Sequence, residues 1–253
     1  MILFNTPITF SELMPPLATK VWQKIPFGKS RFHPFDAIPS EIIPQTILDV
    51  GANEGKVAEA ALRSYPNCKL ICFEPVSGTF NALKQRLVHY GDRVTYFNEA
   101  LSDVNAKGEI NLTNFNGANS IQAQPAFHKF FNPHVREIGK ETITLSRLDD
   151  IASRLPTQKI DLMKIDVEGH ELKVLQGGAK FIQQNVDTII VELSLMRDAS
   201  WSQQAVFEIF ALMKELGFAL LNIFDLNHAN RSDMLLVQMD CVFRKQTSLK
   251  PPV

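Results

Sequence analysis

The segment Thr46-Ile-Leu-Asp-Val-Gly-Ala-Asn-Glu-Gly55 constrains this chain more than any other. An apolar run of β type reaches Asp49, Gly51 and Gly55 bracket three small or polar residues, and a helical pattern begins at Lys56. That is a strand, a tight glycine turn and a helix start, a geometry in which a nucleotide-like ligand lies against bare backbone. The turn carries Asp49 and Glu54, so it is acidic. An acidic turn repels a pyrophosphate and attracts a cation, and this sign separates two classes of ligand.

A dinucleotide fingerprint is G-x-G-x-x-G, whose second glycine admits the pyrophosphate. Here Ala52-Asn53-Glu54 fills the interval between Gly51 and Gly55. S-adenosylmethionine has an α-ammonium and a sulfonium and no phosphate, so carboxylates near it are favourable. The plain alternative is a structural βα turn without a ligand. Lys69-Leu-Ile-Cys-Phe-Glu74-Pro75 reads as a second strand ending in an acid, 23 residues after Gly51. An acid at about that distance accepts hydrogen bonds from ribose hydroxyls. Each such charge-assisted bond is worth roughly 1.5–3 kcal/mol.

At 253 residues and 45% hydrophobic content, the chain suits one large α/β domain with additions. The net charge of −1, from 26 basic and 27 acidic residues without a basic block, gives no reason to expect a nucleic-acid partner. Met1-Ile-Leu-Phe lacks a charged signal region and no apolar run reaches spanning length, so neither secretion nor a membrane is expected. Cys68, Cys72 and Cys241 are odd in number and have no metal-ligand spacing. A cytoplasmic location is the simplest expectation. Oligomeric state is not encoded.

Residues 1–40, rich in proline and aromatics, read as an N-terminal arm or cap with a short helix near 11–24. Residues 41–253 form the main domain. Strands fit 46–50, 69–74, 93–98, 160–166 and 188–194, alternating with helices at 55–64 and 77–89 and a stripe from Leu172 to Ile182 broken at Gly177-Gly178. The 77–89 helix carries Phe80, Leu83, Leu87 and Val88 on one face. Ser200 and Gln203 suggest a capping box before a helix with Val206, Phe207, Phe210, Met213 and Leu216, closed by Gly217. Phe218–Phe224 and Met234–Arg244 read as an antiparallel pair. The fold class is therefore α/β: a Rossmann-like, seven-stranded, mostly parallel sheet with an antiparallel last strand. An insertion near 106–145 adds strands at 108–113 and 141–145, around a lid-like stretch with Phe115, Phe127, His128, Phe130, Phe131, His134 and Arg136.

Asp49-Val-Gly-Ala-Asn-Glu-Gly55, Phe73-Glu-Pro75, Asn98-Glu-Ala-Leu-Ser-Asp103, Leu162-Met-Lys-Ile-Asp-Val-Glu-Gly-His-Glu171, Val174-Leu-Gln-Gly177 and Ile190-Val-Glu192 occur in this order. Together they resemble the FkbM family of S-adenosylmethionine-dependent methyltransferases, over about residues 45–220. The resemblance implies methyl transfer from S-adenosylmethionine to hydroxyl oxygens of sugars, glycans and natural-product small molecules. It implies Asp49, Gly51, Ala52, Asn53 and Gly55 on the methionine side of the cofactor, and Glu74 with Pro75 at the ribose. Asn98 and Ala100 would border the adenine, and Ser120 beside Asn119 would reach the cofactor carboxylate.

An alcohol is a poor nucleophile until its proton leaves, so a base near the attack line helps. The candidates follow the fourth parallel strand: Asp166, Glu168 and His170 as catalytic residues, with Asp166 also touching the cofactor. Glu171 reads as an acid stabilising a helix start. Glu192 reads equally as a cleft residue or a solvated strand end. Asp166, His170 and Glu192 make only a loose oxygen–nitrogen set, so no metal is expected. Two rival readings remain: a nucleotide-dependent oxidoreductase, and an S-adenosylmethionine-binding module without catalysis.

Overall fold

The computed structural model describes residues 34–121, 134–195, 203–228 and 236–249. All of them belong to one compact unit, Phe32–Val253. The expected helix near 11–24, the aromatic stretch from Phe127 to Phe131, and Ser200 lie outside the described residues.

Seven strands form one sheet. In chain order they are β1 (Thr46–Val50), β2 (Lys69–Phe73), β3 (Val94–Phe97), β7 (Ile160–Ile165), β8 (Val186–Ser194), β9 (Phe218–His228) and β10 (Leu236–Lys245), arranged in space as β3-β2-β1-β7-β8-β10-β9. The first five named are mutually parallel, and β10 runs antiparallel to both β8 and β9. This is the expected sheet. Three further strands, β4 (Ala100–Leu101), β5 (Ala106–Thr113) and β6 (Glu137–Ser146), form a second sheet in the order β4-β6-β5. The expected inserted hairpin is the β5–β6 pair of that sheet.

The central strands are buried on both faces, which is why they read as nearly continuous apolar runs. On one face Leu48, Val50, Met163 and Ile189 pack against α4 (Glu171–Gly177), α5 (Ala179–Asn185) and α6 (Gln204–Glu215) through Val174, Phe181, Ile209 and Met213. On the other face Ile47, Leu70 and Leu162 pack against α1 (Lys56–Ser64) and α2 (Ser77–Leu87) through Ala58, Leu62, Leu83 and Leu87. Phe35, Ile38 and Ile42 join this second layer. A helical turn, α3 (Leu148–Ile151), buries Leu148 under the first layer.

Three local expectations need correction. Val88 is 71% exposed, because α2 gives way after Leu87 to a 3-10 turn that rotates Val88 off the apolar stripe. Phe207 is 64% exposed, and the buried stripe of α6 is Val206, Ile209 and Met213. Gln203 itself is the N-cap of α6 and makes no side-chain cap bond, so it is not the third residue of a capping box. Gly217 does follow the helix in the left-handed region, at φ +84°. The Gly177-Gly178 break separates α4 from α5, and a Cβ on Gly177 would lie 1.8 Å from the Ser102 carbonyl oxygen.

The chain winds outward from β1 to β3 and then returns to place β7 on the other side of β1. The connections after β1 and β7 therefore diverge at the carboxyl ends of the strands, which opens a crevice. Among the described residues no helix is long and apolar enough to cross a membrane.

Candidate active site

A cleft of about 560 Å³ occupies that crevice. The glycine turn forms one wall. Gly51 and Ala52 both donate their backbone N–H to the Phe73 carbonyl at 3.0 Å, which holds the turn against the end of β2. Gly51 sits at φ +83°, and a Cβ there would lie 1.9 Å from the Asp166 carbonyl oxygen. Only glycine allows β7 to come this close.

Glu74 lies 6% exposed at the mouth of β2 and lines the cleft. Its Oε2 accepts from the Asn53 N–H at 3.0 Å and its Oε1 from the Val76 N–H at 2.9 Å. Burial lifts its pKa to about 7, against the pull of those two N–H groups. Phe73 and Phe97 stack beside it with centroids 4.6 Å apart. Pro75 and Ala100 line the same side. Asn98 does not reach the cleft; its Nδ2 donates to the carbonyls of Glu74 and Pro75 and fixes that corner. Glu99, which sequence reasoning passed over, lines the cleft with its carboxylate held by Arg154 and by Ser146.

Asp49 and Gly55 stand behind the lining. Gly55 is the left-handed N-cap of α1, packed so closely that a Cβ would meet Leu83 at 2.6 Å. Asp49 is 2% exposed, and among the described residues neither of its carboxyl oxygens has a hydrogen-bond partner. Burial lifts its pKa to about 6; nearby Lys164 opposes the rise and Asp166 adds to it.

The opposite wall is the end of β7. Lys164 is 5% exposed and its Nζ lies 2.8 Å from Asp166 Oδ2. Burial opposes the lysine's charge, but Asp166 and Asp49 outweigh it and raise its pKa, so Lys164 stays an ammonium. The signal was legible: a lysine inside the buried strand run Leu162-Met-Lys-Ile165 needs acidic company, and Asp166 follows two residues on. Asp166, Glu168 and His170 all line the cleft, as does Glu192 from β8. One carboxylate oxygen each from Asp166, Glu168 and Glu192 lies within 4.8 Å of the others. Lys164 already supplies the cation beside Asp166, and no metal is assigned to the group.

His170 is not part of that acid group. Its Nε2 lies 3.0 Å from Ser102 Oγ in a buried contact. Glu171 turns inward, where its Oε1 accepts from the N–H groups of Val167 and Gly169 and shapes the turn before α4. Ser120 is buried outside the lining, and its Oγ donates to the Glu168 carbonyl at 2.8 Å. Nearby, Asn116 Nδ2 donates to Glu54 Oε1 at 3.1 Å. Residues 116–120 thus tie the glycine turn to the turn after β7, and Phe115, 62% exposed, borders the cleft beside them.

Among the described residues, the lining carries six acids (Glu54, Glu74, Glu99, Asp166, Glu168 and Glu192) and two lysines (Lys56 and Lys164). Asp49 adds a buried carboxyl behind them. The excess is negative. It favours a cationic ligand and opposes a pyrophosphate.

A family model described as the methyltransferase FkbM domain matches residues 49–220. The chain is similar to methyltransferase sdnD of Sordaria araneosa, 30% identical over 203 residues that span 68% of this chain and 73% of the relative. It is also similar to the 2-O-methyltransferase NoeI of Sinorhizobium fredii, 33% identical over 139 residues that span 52% of this chain and 56% of the relative. Among solved structures, a methyltransferase FkbM from Methylobacillus flagellatus KT aligns at 15% identity and a TM-score of 0.47, over 78% of this chain and 43% of that one.

Proposed function

This chain belongs to the FkbM methyltransferase family, and from that membership we propose that it transfers a methyl group from S-adenosylmethionine to a hydroxyl oxygen of a sugar, glycan or natural-product small molecule. The carrying observation is the acid excess of the cleft, six acids against two lysines, backed by the buried Asp49 carboxyl, whose oxygens make no hydrogen bond among the described residues. Such a concentration of acids attracts a cation, and an ammonium-bearing ligand in the cleft would meet the field of Asp49 as well as that of the lining. S-adenosylmethionine, when bound, supplies the methyl group on a positively charged sulfur.

The chain's own residues do the rest. Asp49 and Asp166 favour the cationic methionine end. Gly51, Ala52 and Asn53 leave backbone open to it, with Gly55 holding α1 in place behind. Glu74 accepts from the ribose hydroxyls, while Pro75 and Ala100 flank the base and Asn98 sets that corner. Asp166 and Glu168, with Glu192 and His170 near them, form the wall that an acceptor hydroxyl meets. Holding that hydroxyl in line with the methyl–sulfur axis can lower the barrier by several kcal/mol. Transfer to oxygen draws support from the 2-O-methyltransferase relative.

The test is to incubate the protein with S-adenosylmethionine bearing a labelled methyl group and a panel of monosaccharides, methyl glycosides and polyols. Labelled methyl ether in at least one product is expected. Tight cofactor binding with no transfer to any member would favour the binding-module reading.

A further inference from the structure

We propose that Glu192 is the base that takes the acceptor's proton, with Asp240 as the positioning residue behind it; this rests on the methyl-transfer reading above. Four acids of the cleft already hold donors: Glu54 has Asn116 and Lys56, Glu74 has two backbone N–H groups, Glu99 has Arg154 and Ser146, and Asp166 has Lys164. Glu192 lines the cleft and makes no hydrogen bond or ion pair among the described residues. Its strand register places it level with Asp166, one step beyond the Ile165–Val191 pair, and its carboxylate lies within 4.8 Å of those of Asp166 and Glu168. His170, the other candidate beside the acids, has its Nε2 turned to Ser102.

Asp240 stands directly opposite Glu192 in the antiparallel β8–β10 register, on the side away from the cleft. Like charges so placed repel. Burial first, then Asp166, Glu168 and Asp240, hold the Glu192 carboxyl well above its usual range, against Lys164. Asp240 is itself lifted to about 7, by burial and then by Asp166 and Asp225, with Lys164 opposing. The groups facing Glu192 are therefore Lys164, Asp166 and Glu168 from β7 and its turn, and Asp240 from β10, with Asp225 of β9 acting on Asp240. A carboxylate raised in this way is a stronger base near neutrality. As the acceptor oxygen bonds to the methyl carbon, its proton passes to the Glu192 carboxylate. The electron pair of the broken carbon–sulfur bond remains on sulfur, which leaves as a neutral thioether.

Carboxyl ¹³C NMR of glutamate-labelled protein tests this without an acceptor. The Glu192 signal, identified by its loss in Glu192→Gln, should titrate well above the ordinary value of about 4.3, and Asp240→Asn should move it down. With an acceptor from the panel, Glu192→Gln should lower kcat by about 10²- to 10⁴-fold and leave S-adenosylhomocysteine affinity nearly unchanged. Asp240→Asn should shift the rising limb of the kcat–pH profile to lower pH. A Glu192 signal titrating near about 4.3 would overturn the proposal, as would an unchanged kcat in Glu192→Gln. Turnover that needs added Mg²⁺ and stops with a chelator would also overturn it, because Glu192 would then be a ligand. A wild type inactive on the whole panel counts against the methyl-transfer reading, while the NMR titration still decides the state of Glu192.

Discussion

Asp49 on β1 and Lys164 on β7 are register partners across a parallel pair, yet the Lys164 ammonium is bonded to Asp166 and, among the described residues, neither Asp49 oxygen has a hydrogen-bond partner. The geometry leaves one buried carboxyl unsatisfied at the base of a cation-seeking cleft.

Asp49 lowers the stability of the ligand-free protein as pH rises. Its folded pKa of about 6 exceeds its ordinary 3.8, so the folded state holds the proton more tightly. The penalty is absent below the lower value, grows between the two, and is complete above the upper one. Its full size is up to about 3 kcal/mol. Urea denaturation without ligand should show Asp49→Asn gaining about 2 kcal/mol more over wild type at pH 7.5 than at pH 4. A gain that does not change with pH would contradict this. The same variant should bind S-adenosylhomocysteine more weakly.

Glu74→Gln keeps the size of the side chain and removes the charge it carries above its pKa of about 7, where binding is to be measured. If Glu74 holds the ribose, S-adenosylhomocysteine affinity should fall by roughly tenfold to a hundredfold, the worth of one charge-assisted bond. An unchanged dissociation constant in a folded variant would remove Glu74 from the site.

Lys164→Met should destabilise the protein by about 3 kcal/mol, because it strands Asp166 and Asp49 beside each other without a cation. Adding Asp166→Asn to Lys164→Met should recover part of that loss in urea denaturation. If the double variant is no more stable than the single one, the Lys164–Asp166 pair is not what Lys164 contributes.

The parallel sheet was legible because its strands are buried on both faces and end in turn signals: Thr46–Val50 runs into Gly51, and Lys69–Phe73 into Glu74-Pro75. β4 escaped notice because two residues, Ala100 and Leu101, carry no periodicity. Phe207 and Val88 misled because apolar type does not report which way a helix turns at its end; the 3-10 turn after Leu87 and the start of α6 at Gln204 decide that. Glu74, Asp166, Glu168 and His170 all line the cleft, and their place there was legible because they lie next to motifs in sequence. The Lys164–Asp166 bond joins alternate residues of one extended run, which share a face and so were legible; the Ser102–His170 contact and the Glu192–Asp240 register were not, since each joins side chains whose meeting depends on strand register or loop packing. Asn98, Gly55 and Ser120 stand near the cleft but outside its lining, held by backbone or packing contacts that spacing alone does not reveal.

The most direct test of the account is calorimetric titration of the ligand-free protein with S-adenosylhomocysteine and, separately, with NAD. Saturable S-adenosylhomocysteine binding at one site per chain, weakened in Asp49→Asn and Glu74→Gln, with no NAD binding, is the expected result. Binding of NAD without binding of S-adenosylhomocysteine would contradict it, because an acid-lined crevice would then have accepted the ligand that its charge should exclude.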